Sequence, residues 1–252
     1  MPHVLAVLAL LLAALGGCGG EDSFDPRPYC PSGSGATATG LLPAPVRVFD
    51  WGEALTVAPA TYAVSGADAA ESATLGELAG PLGLTEAAAG AGLSVTLHPT
   101  SRFQPLVDGC ALGAVPAAQA YYLRVAAGPA GAAVDLFAPD ADGRWYGLKT
   151  LAQLASAGPA VRATAILDWP ATPQRGVIEG FYSAPWAPED RLAMLGRMAE
   201  LKLNFYVYAP KRDGEINLDW LADFSDGEVA MLGAIAAEAQ RQRITPCFQL
   251  HP

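Results

Sequence analysis

Arg175-Gly176-Val177-Ile178-Glu179-Gly180-Phe181-Tyr182 and Leu203-Asn204-Phe205-Tyr206-Val207-Tyr208-Ala209-Pro210-Lys211 are the two segments on which the fold turns. The first is a short apolar run ending in a polar turn, which predicts a strand buried on both faces of a parallel sheet. The second reads as another strand. Between them, Pro188-Glu189-Asp190 puts proline and two acids into the first turn of a helix. Leu192, Leu195, Met198, Ala199 and Leu201 supply its buried stripe. Ser225-Asp226-Gly227-Glu228 has the form of a capping box and opens a second helix, predicted to run to about Gln242. Ile244-Thr245-Pro246-Cys247-Phe248-Gln249-Leu250 is a third strand, with Pro246 required at its start. Strand, helix, strand, helix, strand means βαβ units on a parallel sheet. Pattern alone leaves a doubly wound sheet and a (β/α)8 barrel both open. No Gly-x-Gly-x-x-Gly follows the first strand, which weakens the dinucleotide-binding version.

Upstream of a Pro-containing joint at Pro170–Gln174 the rhythm changes. Val46–Phe49, Leu93–Leu97, Tyr121–Val125 and Ala133–Phe137 alternate with period two and are predicted strands. Ala69–Gly83 and Arg144–Ala157 have helical spacing, and in the second Tyr146, Leu148, Leu151, Ala152 and Leu154 form an apolar stripe. Residues 41–170 thus read as a small mixed α/β domain, an α+β sandwich with two interspersed helices.

Further out lies Val4–Leu15, an apolar stretch of signal-peptide length and too short to span a bilayer comfortably. It ends in Leu15-Gly16-Gly17-Cys18, which resembles the lipobox of bacterial lipoproteins, although the Met1-Pro2-His3 start lacks the usual basic residue. The resemblance implies lipidation of Cys18, a signal segment over 1–18, and an envelope lipoprotein held to a membrane by its anchor. An ordinary secretory signal is the alternative. Residues 19–40, rich in Gly, Ser, Pro and Asp, have the composition of a flexible tether. Export permits disulfides. With Cys18 lipidated, Cys30, Cys110 and Cys247 remain. Cys30–Cys110 is the preferred pair, because Cys247 lies in an apolar strand-like run where a buried free thiol is common.

The 252 residues carry 15 Lys+Arg against 25 Asp+Glu, a net charge of −10. Neither side of Arg175 is basic, which argues against a nucleic-acid partner held by phosphate contacts. Three scattered histidines and four scattered cysteines make no zinc-like cluster, so no metal site is predicted. Only the first apolar run is long enough to concern a membrane, which excludes a multi-span protein.

Two resemblances sharpen this. Ala120–Val125, Gly143-Arg144-Trp145-Tyr146-Gly147-Leu148-Lys149-Thr150-Leu151-Ala152-Gln153-Leu154, Ile166–Pro170 and Arg175-Gly176 look like the non-catalytic α/β module that precedes the barrel in bacterial hexosaminidases. That module implies a buttress, with Trp145 and Tyr146 in its core. The two opening segments, with Pro185-Trp186 and Asp190-Arg191-Leu192, resemble the start of glycoside hydrolase family 84 over essentially all of 175–252. The resemblance implies the first three βα units of a (β/α)8 TIM barrel. Ser183 and Arg212 depart from the family pattern, which usually has glycine and an acid at these places.

The family resemblance implies a β-N-acetylglucosaminidase without cofactor, acting on terminal N-acetyl-β-D-glucosaminides of a glycan. Its retaining mechanism is substrate-assisted, an exception to the two-carboxylate scheme. The resemblance puts the backbone carbonyl of Gly180 and the ammonium of Lys211 on sugar hydroxyls, at the C-terminal ends of their strands. It makes Glu179 a structural carboxylate, paired inside the barrel mouth, rather than the proton donor. Asp213 reads as a solvated loop acid, and His251 carries no argument. The family's adjacent aspartates belong to the fourth strand; no Asp-Asp pair occurs in these 252 residues, so no catalytic residue is expected among them. The chain is therefore expected to be the N-terminal part of the enzyme, cut after the third barrel strand and inactive by itself. Two alternatives remain: a non-catalytic carbohydrate-binding or scaffolding lipoprotein, and a family 20 β-hexosaminidase.

Overall fold

The computed structural model describes residues 24–33, 35–36, 40–87, 90–155, 159–180, 184–210 and 223–249. In the N-terminal unit the chain runs β1 (Arg47–Thr56), β2 (Thr61–Ser65), α1 (Ala69–Ala79), β3 (Thr85–Glu86), β4 (Leu93–Leu97), α2 (Phe103–Gly109), β5 (Tyr121–Gly128), β6 (Gly131–Phe137), α3 (Ala141–Leu154) and β7 (Ala160–Asp168). The seven strands form one sheet in the order β1-β7-β5-β6-β4-β2-β3. Its β1, β7, β5 and β6 pair antiparallel, and β6, β4, β2 and β3 pair parallel.

Period-two alternation splits the side chains of the central strands between two cores. Tyr121, Leu123, Val125, Val134, Leu136 and Ile166 face α1 and α3, where Leu75, Tyr146, Leu148 and Leu151 meet them. Tyr122, Phe137, Ala165 and Leu167 point the other way, onto Phe103, Leu106 and Val107 of α2. The domain therefore has three layers, with a helix beyond the two predicted. Helix α2 is short and carries Pro105 in its interior, so helical spacing could not announce it. Strand β7 was legible only as part of a family motif, because Arg162, Ala163 and Thr164 interrupt its apolar run. Capping is as the residue types dictate: Asp68 accepts from the Glu71 amide while Glu71 returns the bond to the Asp68 amide.

Part of the predicted tether is packed. Phe24–Gly33 folds across the α2 side of the sheet, with a 3-10 turn at Arg27–Tyr29. Phe24 and Tyr29 lie against Phe137, at ring centroids 5.8 and 5.0 Å away. The Tyr122 hydroxyl donates to the Tyr29 carbonyl at 2.7 Å, and a disulfide joins Cys30 to Cys110 just beyond α2. Composition missed this because two aromatics suffice to hold a polar segment on an apolar face.

The C-terminal unit contains β8 (Gly176–Glu179), α4 (Pro188–Glu200), β9 (Phe205–Tyr208), α5 (Asp226–Arg241) and β10 (Thr245–Phe248). Its strands are parallel and lie side by side in chain order. Leu195 and Met198 of α4, Ile235 and Ala239 of α5 and Tyr206 and Tyr208 of β9 make one core, so both helices cover the same face. A Cβ at Gly176 would run into the carbonyl oxygen of Phe205, which explains glycine where β8 and β9 meet.

Three expectations fail here. β8 is not buried on both faces: Val177 and Glu179 face the helices, but Gly176 is exposed and Ile178 is 66% exposed, since helices cover one side alone. Leu201 is 44% exposed because it follows the end of α4 instead of continuing its stripe. Cys247 is exposed, not a buried thiol, because β10 pairs with a strand on one side among the described residues. Pro246 is the second residue of β10, tolerated on such an edge.

The units meet where the parallel strands begin. Lys202, between α4 and β9, is buried and donates to Asp168 Oδ2 at 2.9 Å and to the Tyr121 hydroxyl at 2.8 Å. Burial pulls its pKa below that of a free lysine, and Asp168 opposes that pull. Tyr121 also donates to Asp168 at 2.8 Å and lies 2.6 Å from the Thr150 hydroxyl. Arg175 clasps the Lys202 carbonyl through Nε and Nη2 and reaches Gln119 with Nη1.

Candidate functional site

Parallel pairing in register sets the three strand ends level. Glu179 stands opposite Tyr208, and Tyr208 opposite Phe248. The Ala209 amide donates to the Glu179 carbonyl at 3.2 Å and the Gln249 amide to the Tyr208 carbonyl at 3.0 Å. Gly180, Pro210 and Gln249 therefore leave the sheet along one rim. Gly180 is half-buried, and its backbone is not in the left-handed region; among the described residues an added Cβ would meet only Ile178 Cγ2, at 3.2 Å. Lys211, the other predicted sugar contact, lies outside the described residues, as do Phe181, Tyr182, Ser183, Arg212, Asp213, His251 and Cys18.

Directly beneath the rim is Glu179, 0% exposed. Arg191 of α4 donates to both its oxygens at 2.9 Å, the Trp186 amide to Oε1 at 3.1 Å and the Tyr206 hydroxyl to Oε2 at 2.5 Å. Burial opposes the charge on Arg191, but hydrogen bonds to Glu179 carry its pKa above the ordinary value. Burial and the bond to Glu179 push the Tyr206 hydroxyl far up. Held by these four bonds, the carboxylate ties the Pro185-Trp186 segment to the sheet. It does so on the helix-facing side of β8, where its period-two partner Val177 also points, and not from inside a barrel mouth. Sequence reasoning assigned Glu179 a pairing role without finding Arg191 or Tyr206. The Glu179–Arg191 spacing of twelve residues follows no local helix or strand period.

Among the described residues no group of three or more His, Cys, Asp or Glu is placed to hold a metal ion, and no helix is long and apolar enough to cross a membrane. A cavity of about 340 Å³ lies at the seam between the units, lined by Val46, Tyr121, Tyr146, Trp169, Arg175 and Lys202 among others. It sits where β8 and β9 begin, at the end of the sheet opposite Gly180. Trp145 and Tyr146 are buried in the N-terminal core, and Lys149 stacks its ammonium 4.2 Å from the Trp145 ring.

Residues 38–169 match the model of glycosyl hydrolase family 20, domain 2, more than half of the chain. Through them the chain belongs to that domain family. The family 20 domain is followed at once by a match to the β-N-acetylglucosaminidase model over residues 175–252. Over 77 residues the chain is 34% identical to protein O-GlcNAcase of Rattus norvegicus and, equally, of Mus musculus; this is 31% of the chain and 8% of each relative. Among solved structures it is similar to CpGH84B, with a TM-score of 0.65, 22% identity and 83% of the chain covered, and to CpGH84D, with 0.66, 18% and 82%. These likenesses concern the fold, and they extend over 36% of each solved chain. The family 20 domain and the segment behind it are together similar in fold to CpGH84B and CpGH84D.

Proposed function

We propose that residues 175–252 open the (β/α)8 barrel of a β-N-acetylglucosaminidase that cleaves terminal N-acetyl-β-D-glucosaminides from a glycan, and that the family 20 domain buttresses this barrel. The observation that carries the reading is the level rim of β8, β9 and β10, with Gly180 on it. The exposed face of β8 supports it too: Ile178 points away from the helices, as a residue lining a barrel interior would. On this reading the Gly180 carbonyl and the Lys211 ammonium hold hydroxyls of the sugar, a lysine offering three donors. The sugar's own N-acetyl oxygen is the nucleophile, and adjacent aspartates polarise it and transfer the proton. Cys18 carries a lipid that places the protein on the bacterial envelope.

The 252-residue polypeptide contains no adjacent aspartates, so it should recognise the sugar without cleaving it. Incubation with an aryl N-acetyl-β-glucosaminide should release no phenol, whereas saturation-transfer NMR should detect contact with N-acetylglucosamine that Lys211→Ala weakens about tenfold. Robust turnover, or contact with glucose equal to that with N-acetylglucosamine, would overturn the assignment.

A further inference from the structure

Helices α4 and α5 end in the same way. The Leu203 amide donates to the Met198 carbonyl and the Ile244 amide to the Ala239 carbonyl, each at 2.8 Å, while Lys202 and Arg243 bond back to Ala199 and Gln240. This is the Schellman termination, whose left-handed position normally holds glycine or asparagine. Here it holds Lys202, with φ 58°, and Arg243, with φ 54°. Two long cations have been placed, one turn after the other, where backbone preference calls for glycine.

Both side chains leave their own unit. Lys202 enters the Asp168–Tyr121 pocket of the family 20 domain. Arg243 reaches Asp142 at the start of α3, 3.3 Å away, and lies 5.8 Å over the Trp145 ring. The receiving groups come from different elements, the end of β7 and the first turn of α3, and each presents an acid beside an aromatic ring. We propose that Lys202 and Arg243 are a pair of docking prongs that orient the C-terminal unit on the family 20 domain. The partner surface is intramolecular, and its two acid-plus-ring sockets read the spacing between consecutive helix ends. This holds whether or not the rim binds sugar.

Substitution by glycine separates docking from a plain turn role. Glycine occupies the left-handed region freely, so a residue serving only the turn should lose nothing in Lys202→Gly, and the variant should be at least as stable. Docking predicts the reverse in the full chain. Amide hydrogen exchange should accelerate tenfold or more in Phe205–Tyr208 and Thr245–Phe248, while Leu123–Val125 and Val134–Leu136 keep their rates. Arg243 is more exposed than Lys202, so Arg243→Gly should fold and show the same change, larger in Thr245–Phe248; it decides the matter if Lys202→Gly does not fold. Unchanged or slower exchange in either folded glycine variant would overturn the proposal.

Discussion

Glu179 shows how much a single position can reveal and conceal. Its place at a strand end beside aromatics marked it as a carboxylate with a task, and its four hydrogen bonds define that task as holding the rim loop. Removing one partner of a buried pair costs more than the pair contributes, because a desolvated charge is left behind. Arg191→Leu should therefore lower the unfolding free energy by roughly 3–5 kcal/mol, read from urea denaturation. Glu179→Gln strands a guanidinium that can still meet the amide oxygen and should cost less. Equal losses in the two variants would mean that packing, not charge, dominates. Gly180 was singled out through the family resemblance, not by any spacing or composition of its own. Arg191 and Lys202 were not, since each acts across a distance in sequence that no period encodes.

At the scale of elements, the strongly periodic pieces were readable: β4, α3 and α5 fall within a few residues of their predicted bounds. Failures came where burial depends on neighbours. Ile178 and Cys247 looked like interior residues because apolar runs are read without knowing how many layers cover them. The Phe24–Gly33 strap looked like linker because its contribution rests on two aromatics and one covalent bond. That bond closes a separation of 80 residues. The double substitution Cys30→Ser with Cys110→Ser should cost about 2–4 kcal/mol by relaxing the unfolded chain's constraint. It should also expose Phe24 and Tyr29, raising the rate of chymotryptic cleavage after them. Unaltered denaturation and cleavage would show that the aromatics hold the strap without the bond.

Across the whole molecule, fold class was legible in the sequence, whereas the way the two units grip one another was not, since it depends on Lys202, Arg243 and Arg175 meeting groups up to 101 positions away. Both units share a response to alkali. Burial raises the pKa of Tyr121, Tyr122 and Tyr206 above the ordinary value near 10. The native state keeps these protons where the unfolded chain releases them, so their contribution is complete below about pH 10 and declines above it. Lys149 and Lys202 work in the opposite sense, because their lowered pKa makes the unfolded chain the better proton acceptor, but the tyrosines outnumber them, Tyr62 and Tyr146 being raised as well. Tyrosinate absorbance should therefore report the Tyr121, Tyr122 and Tyr206 hydroxyls in the same step that abolishes ellipticity. Their ionisation near pH 10 with ellipticity intact would contradict the burial. Finally, the grip falls where the parallel strands start, whereas the segments that follow β8 and β9 leave from the opposite rim. Lengthening them would cost little beyond closure entropy, ~0.6 kcal/mol per doubling, which leaves specificity free to diverge while the chassis stays fixed.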